Sequence, residues 1–447
     1  MSQTNLERPS FLDSNDEPES VTSWNETTQK LRIIVLGSGF AGMSFVKAFN
    51  RYATPIHNYV EVMVISRRDY HLFTPLLYQV ATGLTDEHHV ADPISKKSKK
   101  SNYSIFEAEV LSIDFKSKTI MTSIGRLRYD ILIIGLGSVS NDFGIKGVAE
   151  NAIALKTLSD GEKIRNRILE SFEKSSMLAS SNGLKRTYLT FAIVGGGATG
   201  VELAGSVRDY VRQLCGKYYR IDPDETRVIL LEASNRLLPG STTQFAEKCR
   251  KDLESAGIEV RTGASVVRVD PIGVVLSDGS RIETSNVFWT AGTKVNPVVA
   301  QIPETMVMKK RGRIAVNGYL EVQNVPDVYA IGDNAWITSG SDATTAPPTA
   351  ASAVQEGEYL GKYVASKLID KPIQTPFSYN DQGVTLSLGR FSGLSQLPNG
   401  IILSGFAGWL MWRLVHLVRI STMRNRLGVM FDWTLSLLHR RIVIRTD

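Results

Sequence analysis

Hydrophobic and polar positions alternate along the chain in a pattern that occurs twice. LRIIVLGSGFAGMSFVKAF (31–49) begins as an unbroken apolar run, turns at Gly37-x-Gly39-x-x-Gly42 and continues with helical spacing. TFAIVGGGATGVELAGSV (190–207) does the same around Gly195, Gly197 and Gly200. Each predicts a buried strand, a tight turn and a helix. In such a turn the first glycine permits the bend, the second lets backbone approach a pyrophosphate, and the third lets the helix lie close on the strand. One copy alone is weak evidence, because glycine turns between strand and helix are often only turns.

The copies also share a second apolar strand that ends in glycine and a hydroxyl. In the first it is YDILIIGLGS, with Gly137 and Ser138; in the second it is SNVFWTAGT, with Gly292 and Thr293. From the first glycine the spacing is 137 − 37 = 100 residues in one copy and 292 − 195 = 97 in the other. The pattern predicts an α/β fold of two Rossmann-like dinucleotide-binding domains, the second inserted in the first. Expected boundaries are a tail at 1–30, the first domain at 31–160 and 311–390, the inserted domain at 161–310, and a separate C-terminal region at 391–447. Two nucleotide units imply electron transfer between two nucleotides.

An acid at the end of the following strand can bind both hydroxyls of an adenosine ribose. RVILLEAS places Glu232 there in the second unit, 32 residues beyond Gly200, and its charge favours NADH over NADPH. The equivalent strand of the first unit, EVMVISRRDYHLF, offers Ser66, with Asp69 as an alternative if the loop folds back. VPDVYAIGDNA (325–335) predicts a short strand ending in Gly332-Asp333, where a carboxylate can accept hydrogen bonds from a flavin's ribityl hydroxyls; a solvated turn aspartate is the plainer alternative.

Charge and cysteine usage narrow the classes. The net charge of +6 is too small to argue for nucleic acid, but its distribution is uneven. Residues 1–30 hold six acids and two bases, and from Gly405 onward there are seven arginines and two aspartates. Cys215 and Cys249, with no CxxC, exclude a disulfide framework and a dithiol redox centre and suit a reducing compartment. No His/Cys spacing suggests a metal. KKSKK (96–100) reads as a solvated loop that could touch anionic lipid.

The basic end is also the apolar end. In GFAGWLMWRLVHLVRI (405–420), Leu410, Met411, Leu414, Val415, Leu417 and Val418 fall on one helical arc, with Arg413, His416, Arg419, Trp409 and Trp412 on the other side. A span needs about 20 mostly apolar residues, and residues 391–412 read instead as strand and turn. The expectation is a helix in the headgroup region with Trp and Arg at the border of its apolar face. A helix that merely covers the core is the alternative. RNRLGVMFDWTLSLLHRR repeats the mixture.

Together, GSGFAG, GGGATGVELAG and YAIGDNA resemble the two-dinucleotide-binding-domain (glutathione-reductase-like) flavoproteins. YHLFTPLLYQVATG (70–83) and GWLMWRLVHLVRISTMRNRLGVMFDW are similar to type II NADH dehydrogenases, the single-subunit NADH:quinone oxidoreductases. The resemblance implies bound FAD, reduction by NADH and re-oxidation by a membrane quinone without proton pumping. On it, Gly37, Gly39, Gly42 and Asp333, with Gly332 beside it, are FAD positions. Ser66 is a departure that stands where an acid is expected at the FAD adenosine ribose, and Pro75 and Leu76 run beside the isoalloxazine ring. Gly195, Gly197, Gly200, Glu232 and Gly292 are NADH positions, and Glu202 lies near nicotinamide and flavin. The family's PPTAQxAxQ reads PPTAASAVQ here, which keeps Gln355 and replaces a glutamine by Ala351 in the quinone segment. The resemblance further implies a peripheral protein held through 405–447 on the cytoplasmic face of the cell membrane; a homodimer is left open. Sulfide:quinone oxidoreduction would need cysteines near the flavin. A flavoprotein similar to apoptosis-inducing factor, with a binding role, is the rival from another class.

Overall fold

The computed structural model describes residues 30–94, 102–179, 182–215, 219, 221–337 and 346–438. The acidic tail before residue 30, KKSKK (96–100) and the basic end from 439 lie outside the described residues. The helices of thirteen or more residues are α1 (Phe40–Tyr52), α2 (Leu158–Ser176), α3 (Ala198–Leu214), α4 (Thr243–Ser255), α5 (Ala350–Leu368), α6 (Gly405–Arg419) and α7 (Met423–Leu438).

Two five-stranded parallel sheets organise the chain. The first runs 328–330, 131–134, 31–36, 60–66 and 104–107, and the second 152–154, 286–289, 190–194, 227–232 and 259–262. Their central strands are almost wholly apolar because both faces are covered, by helices and by two three-stranded antiparallel sheets. One of these contributes Val110, Ile120 and Leu127 to the first core, and the other packs Val266, Val274 and Ile282 against the second sheet. Ile33, Ile34, Val35 and Leu36 are fully buried, as are Phe191, Ala192 and Ile193.

The repeat extends to individual backbone bonds. The first-glycine amide donates to the carbonyl just before the neighbouring strand's end, Gly37 N to Ile65 O and Gly195 N to Leu231 O, both at 2.8 Å. The strand-end residues then accept from matching loops, Ala108 N to Ser66 O and Ala264 N to Glu232 O, both at 2.9 Å. Ser66 and Glu232 are therefore structurally equivalent, as the spacing predicts.

The expected domain boundaries need correction. Ala152–Ala154 already pairs with Asn286–Trp289, so the inserted unit starts before residue 161. Val299, Ile302 and Val307 pack in the core of the first unit, so the inserted one ends before 310. An antiparallel pair, Ser138–Ser140 with Thr293–Val295, joins the two where the chain crosses over. The C-terminal unit likewise begins before 391, since Val384–Gly389 is the first strand of its antiparallel sheet with Ser392–Gln396 and Ile402–Ser404. These strands are three to six residues long, too short to show a period of their own.

The C-terminal helices also sit differently from expectation. α6 turns Trp409, Trp412 and His416 inward, and Trp412 is 1% exposed. Phe406, Leu410, Leu414 and Val418 face outward, Val418 at 69%. Met423, Leu427, Met430, Phe431 and Leu435 of α7 are also exposed. The tryptophans are thus core residues, and the aliphatic arc is the outer surface. Among the described residues, no helix is long and apolar enough to cross a membrane.

Candidate active site

A cleft of about 460 Å³ opens at the carboxyl ends of the first sheet, bordered by Gly37, Ser38, Gly39, Ser66, Thr74 and Ser138. Gly37 has φ +102°, and a Cβ there would overlap the Gly135 carbonyl. A Cβ on Gly42 would overlap the Gly37 carbonyl, whereas beyond Gly39 there is open space. α1 starts at Gly39 with no side-chain cap and no acid in its first turn. Its free amides and positive dipole end therefore face the cleft, ready for an anion.

Asp333, in the turn after the strand Val328–Ala330, is tied to Ser138 on the border of this cleft. Its Oδ2 accepts from Ser138 Oγ at 2.5 Å, and Ser138 Oγ accepts from Lys156 Nζ at 3.1 Å. The predicted Gly332-Asp333 pair is thus joined to the Gly137-Ser138 turn, and Lys156, which sequence reasoning did not single out, adds a cation. Ser66 Oγ lies 2.7 Å from Ser38 Oγ, so a hydroxyl pair takes the place of a carboxylate. Pro75 is half-buried in the turn Thr74–Leu76, and Leu76 is fully buried in the second hydrophobic core.

The second unit repeats the turn. Gly195 has φ +113°, and its Cβ would lie 2.6 Å from Ala291 N; beyond Gly197 there is again open space. α3 starts at Gly197, uncapped. Glu232 Oε2 accepts from Gly196 N at 2.7 Å, and its Oε1 accepts from Ser234 N and Oγ at 2.8 and 2.7 Å. The strand-end carboxylate is held against the glycine turn. Gly292 has φ +64° and is covered by the Phe143 ring.

Glu202, five residues into α3, is buried, and burial pushes its carboxyl up to about 8. Its Oε1 accepts from Trp412 Nε1 at 2.7 Å and from Ser387 N at 3.1 Å, which partly offsets that rise. Tyr78 is buried nearby, its phenol pushed well up by burial and by Glu202. Gln79 Oε1 accepts from Trp433 Nε1 at 2.8 Å and from Thr85 Oγ1 at 2.7 Å. The TPLLYQ segment and Glu202 are therefore both tied to the C-terminal helices through indole N–H groups.

In α5, Gln355 braces the chain near Asn380, donating to Asn380 O at 3.0 Å and accepting from Asn380 N at 2.9 Å. Ala351 is half-buried one turn earlier. The neighbour Glu356, missed from the sequence, is buried and pushed up to about 7, mainly by burial. It accepts from Gly332 N at 2.6 Å and Ser352 Oγ at 2.8 Å, which fixes α5 to the Asp333 turn. No local pattern in the sequence marks it, because its partner Gly332 lies 24 residues away. Cys215 and Cys249 are buried in the inserted unit, their thiols pushed up by burial to about 11 and about 12. Neither forms a reactive thiolate at neutral pH.

Residues 31–357 match the pyridine nucleotide-disulphide oxidoreductase family, and residues 382–442 match the NDH2 C-terminal domain. The chain is 33% identical over 420 residues to a probable NADH dehydrogenase of Dictyostelium discoideum, covering 92% of this chain and 90% of that one. It is 30% identical to the type II NADH:quinone oxidoreductase Ndh of Mycobacterium tuberculosis, covering 92% and 89%. Among solved structures, NDH2 from Plasmodium falciparum in complex with RYL-552 superposes with a TM-score of 0.83 at 22% identity, covering 93% of this chain and all of that one.

Proposed function

The chain belongs to the pyridine nucleotide-disulphide oxidoreductases, in the branch of the type II NADH:quinone oxidoreductases, and we propose that it passes electrons from NADH through FAD to a membrane quinone without pumping protons. The observation that carries this reading is the doubled glycine turn, each with an uncapped helix N-terminus, joined to a C-terminal unit that reaches both Glu202 and the TPLLYQ segment.

The first site fits FAD. Its donors suit a diphosphate at Gly37–Gly39 and the start of α1, Asp333 suits ribityl hydroxyls, and the Ser38–Ser66 pair suits the adenosine ribose. When bound, the flavin supplies hydride acceptance and two-electron release. Lys156 places positive charge in the same cleft, where it favours developing negative charge. In the second site Glu232 orients a ribose and repels a 2′-phosphate, which selects NADH. Glu202, kept neutral over much of the physiological range by burial, can hold a proton at its carboxyl and release it as charge changes nearby.

The outward face of Phe406, Leu410, Leu414 and Val418 on α6, continued by Leu427 and Phe431 on α7, supports docking on a lipid surface, for which we propose the cytoplasmic face of the cell membrane. A second copy of the chain is the competing occupant of that face. Ala351 and Gln355 would contribute to the quinone side through α5. The inert cysteines argue against sulfide oxidation.

NADH oxidation by flavin-loaded protein should proceed with ubiquinone-1 and with menadione as well as with ferricyanide. Reduction of ferricyanide alone would remove the quinone role and leave a diaphorase or binding protein.

A further inference from the structure

The geometry points to Trp412 as a positioning residue: its indole N–H, delivered by α6, fixes the Glu202 carboxyl and so lets the C-terminal unit set the protonation state of a group in the inserted unit. This rests on the reading above only for its kinetic consequence. Both donors to Glu202 Oε1 belong to the C-terminal unit, Trp412 Nε1 at 2.7 Å and Ser387 N at 3.1 Å. Donors of this kind favour a charged carboxylate, while burial favours the neutral acid.

The indole has little freedom to leave. His416 stacks on it at 4.2 Å between ring centroids, Trp433 is tilted against it at 5.6 Å, and Tyr78 meets it edge-on at 6.2 Å. His416 is itself fixed by Nδ1 to the Trp412 carbonyl at 2.8 Å, and burial lowers it to about 4, so it stays neutral. The other titratable groups facing the pair are Tyr78 from the Leu77–Val80 helix, Cys249 from α4, and Arg413, whose guanidinium lies over the Trp409 and Trp433 rings. A second cavity, of about 500 Å³, is bordered by Trp412, Ser387 and Tyr78, with Asp209, Arg212 and Arg390 around it. Protons from solution can therefore reach the shell around Glu202 without crossing the flavin cleft.

Trp412→Phe keeps an aromatic ring in place and removes the donor together with part of the indole's volume. The test is an infrared titration of the carboxyl band in full-length, flavin-loaded, detergent-solubilised protein with isotope-labelled glutamate, the Glu202 band being assigned by its loss in Glu202→Gln. The midpoint should rise by about one pH unit in Trp412→Phe, the loss expected for one charge-assisted hydrogen bond. Trp433→Phe, which removes the indole bond to Gln79 instead and keeps a ring against Trp412, should shift it by clearly less. In the unsubstituted protein, the Trp412 indole nitrogen resonance should titrate with the same midpoint as the carboxyl and lose that response in Glu202→Gln. This check does not depend on how Trp412→Phe folds. An unmoved midpoint in Trp412→Phe, an equal shift in Trp433→Phe, or an indole resonance indifferent to pH would each overturn the inference. The pH profile of flavin reduction by NADH should follow the carboxyl midpoint across these variants. A protein that NADH does not reduce at all would sink the functional reading, while the infrared and nitrogen data would still decide the role of Trp412.

Discussion

Replacing Gly357 by alanine tests how the flavin cleft is supported. α5 crosses α1 with Gly357 and Gly361 at the contact, and a Cβ on Gly357 would overlap the Ala41 carbonyl and stand 2.9 Å from Phe45 N. Both neighbours are helix backbone, which cannot swing aside as a side chain can. The overpacking should cost about 2–3 kcal/mol, while the higher helix propensity of alanine returns about 1 kcal/mol. The net loss is about 1–2 kcal/mol, a fall of a few degrees in the melting midpoint. α1 begins at Gly39, so any displacement of it also moves the amides that border the cleft. Thermal release of flavin, followed by its fluorescence, reads stability and retention together. Gly183→Ala, at a helix start with no atom within 4 Å of the new methyl group, should leave the midpoint unchanged or slightly raised. A higher midpoint in Gly357→Ala would mean that propensity outweighs packing and would refute this account of the helix crossing.

Glu232→Gln should raise the ratio of kcat/KM for NADPH to that for NADH about tenfold, the effect of removing one unit of repulsion worth about 1.4 kcal/mol; an unchanged ratio would remove Glu232 from the ribose. Glu202 and Glu356 are carboxyls raised in the folded state to about 8 and about 7. Their contribution to stability is full below the unfolded value near about 4.3 and is lost as pH rises through the folded values. The melting midpoint should therefore fall between about pH 5 and 8, and Glu202→Gln with Glu356→Gln should flatten that slope. Leu414→Glu with Val418→Glu, both on the outward face of α6, should abolish binding to anionic vesicles while NADH:ferricyanide turnover stays within about twofold.

The doubled unit was legible because its signal is local. Glycines at fixed spacing, apolar strands and the strand-end positions of Ser66, Glu232 and Asp333 all follow from neighbours in sequence, and the shared backbone bonds reproduce that register. The domain edges were not legible, since Ala152–Ala154 and Thr293–Val295 are three-residue strands whose identity depends on distant partners. Helical periodicity correctly divided α6 into two faces, but hydropathy alone assigned the tryptophans to the wrong environment. Trp412 is buried because its N–H finds a buried acceptor 210 residues away, and no local pattern carries that information. Glu356 was missed for the same reason, since its value lies in the Gly332 amide it meets. The basic residues beyond 438, which the sequence assigns to the lipid contact, lie outside the described residues; within them, Phe406, Leu410, Leu414 and Val418 of α6 point outward.

Because α6 and α7 hold Glu202 and Gln79 as well as the outer apolar face, truncation at Gly400 should do more than release the protein from membranes. It should also destabilise the catalytic core, so the outward-face substitutions are the cleaner probe of lipid docking.

The most direct test of the central claim is an anaerobic two-step experiment on the flavin-loaded protein. NADH is added first to one equivalent of flavin, and the flavin band near about 450 nm is followed; a soluble quinone is then added to the same sample. The account predicts bleaching by one equivalent of NADH and full return of the band with one equivalent of quinone. Absence of bleaching, or a bleached flavin that quinone cannot restore, would contradict it.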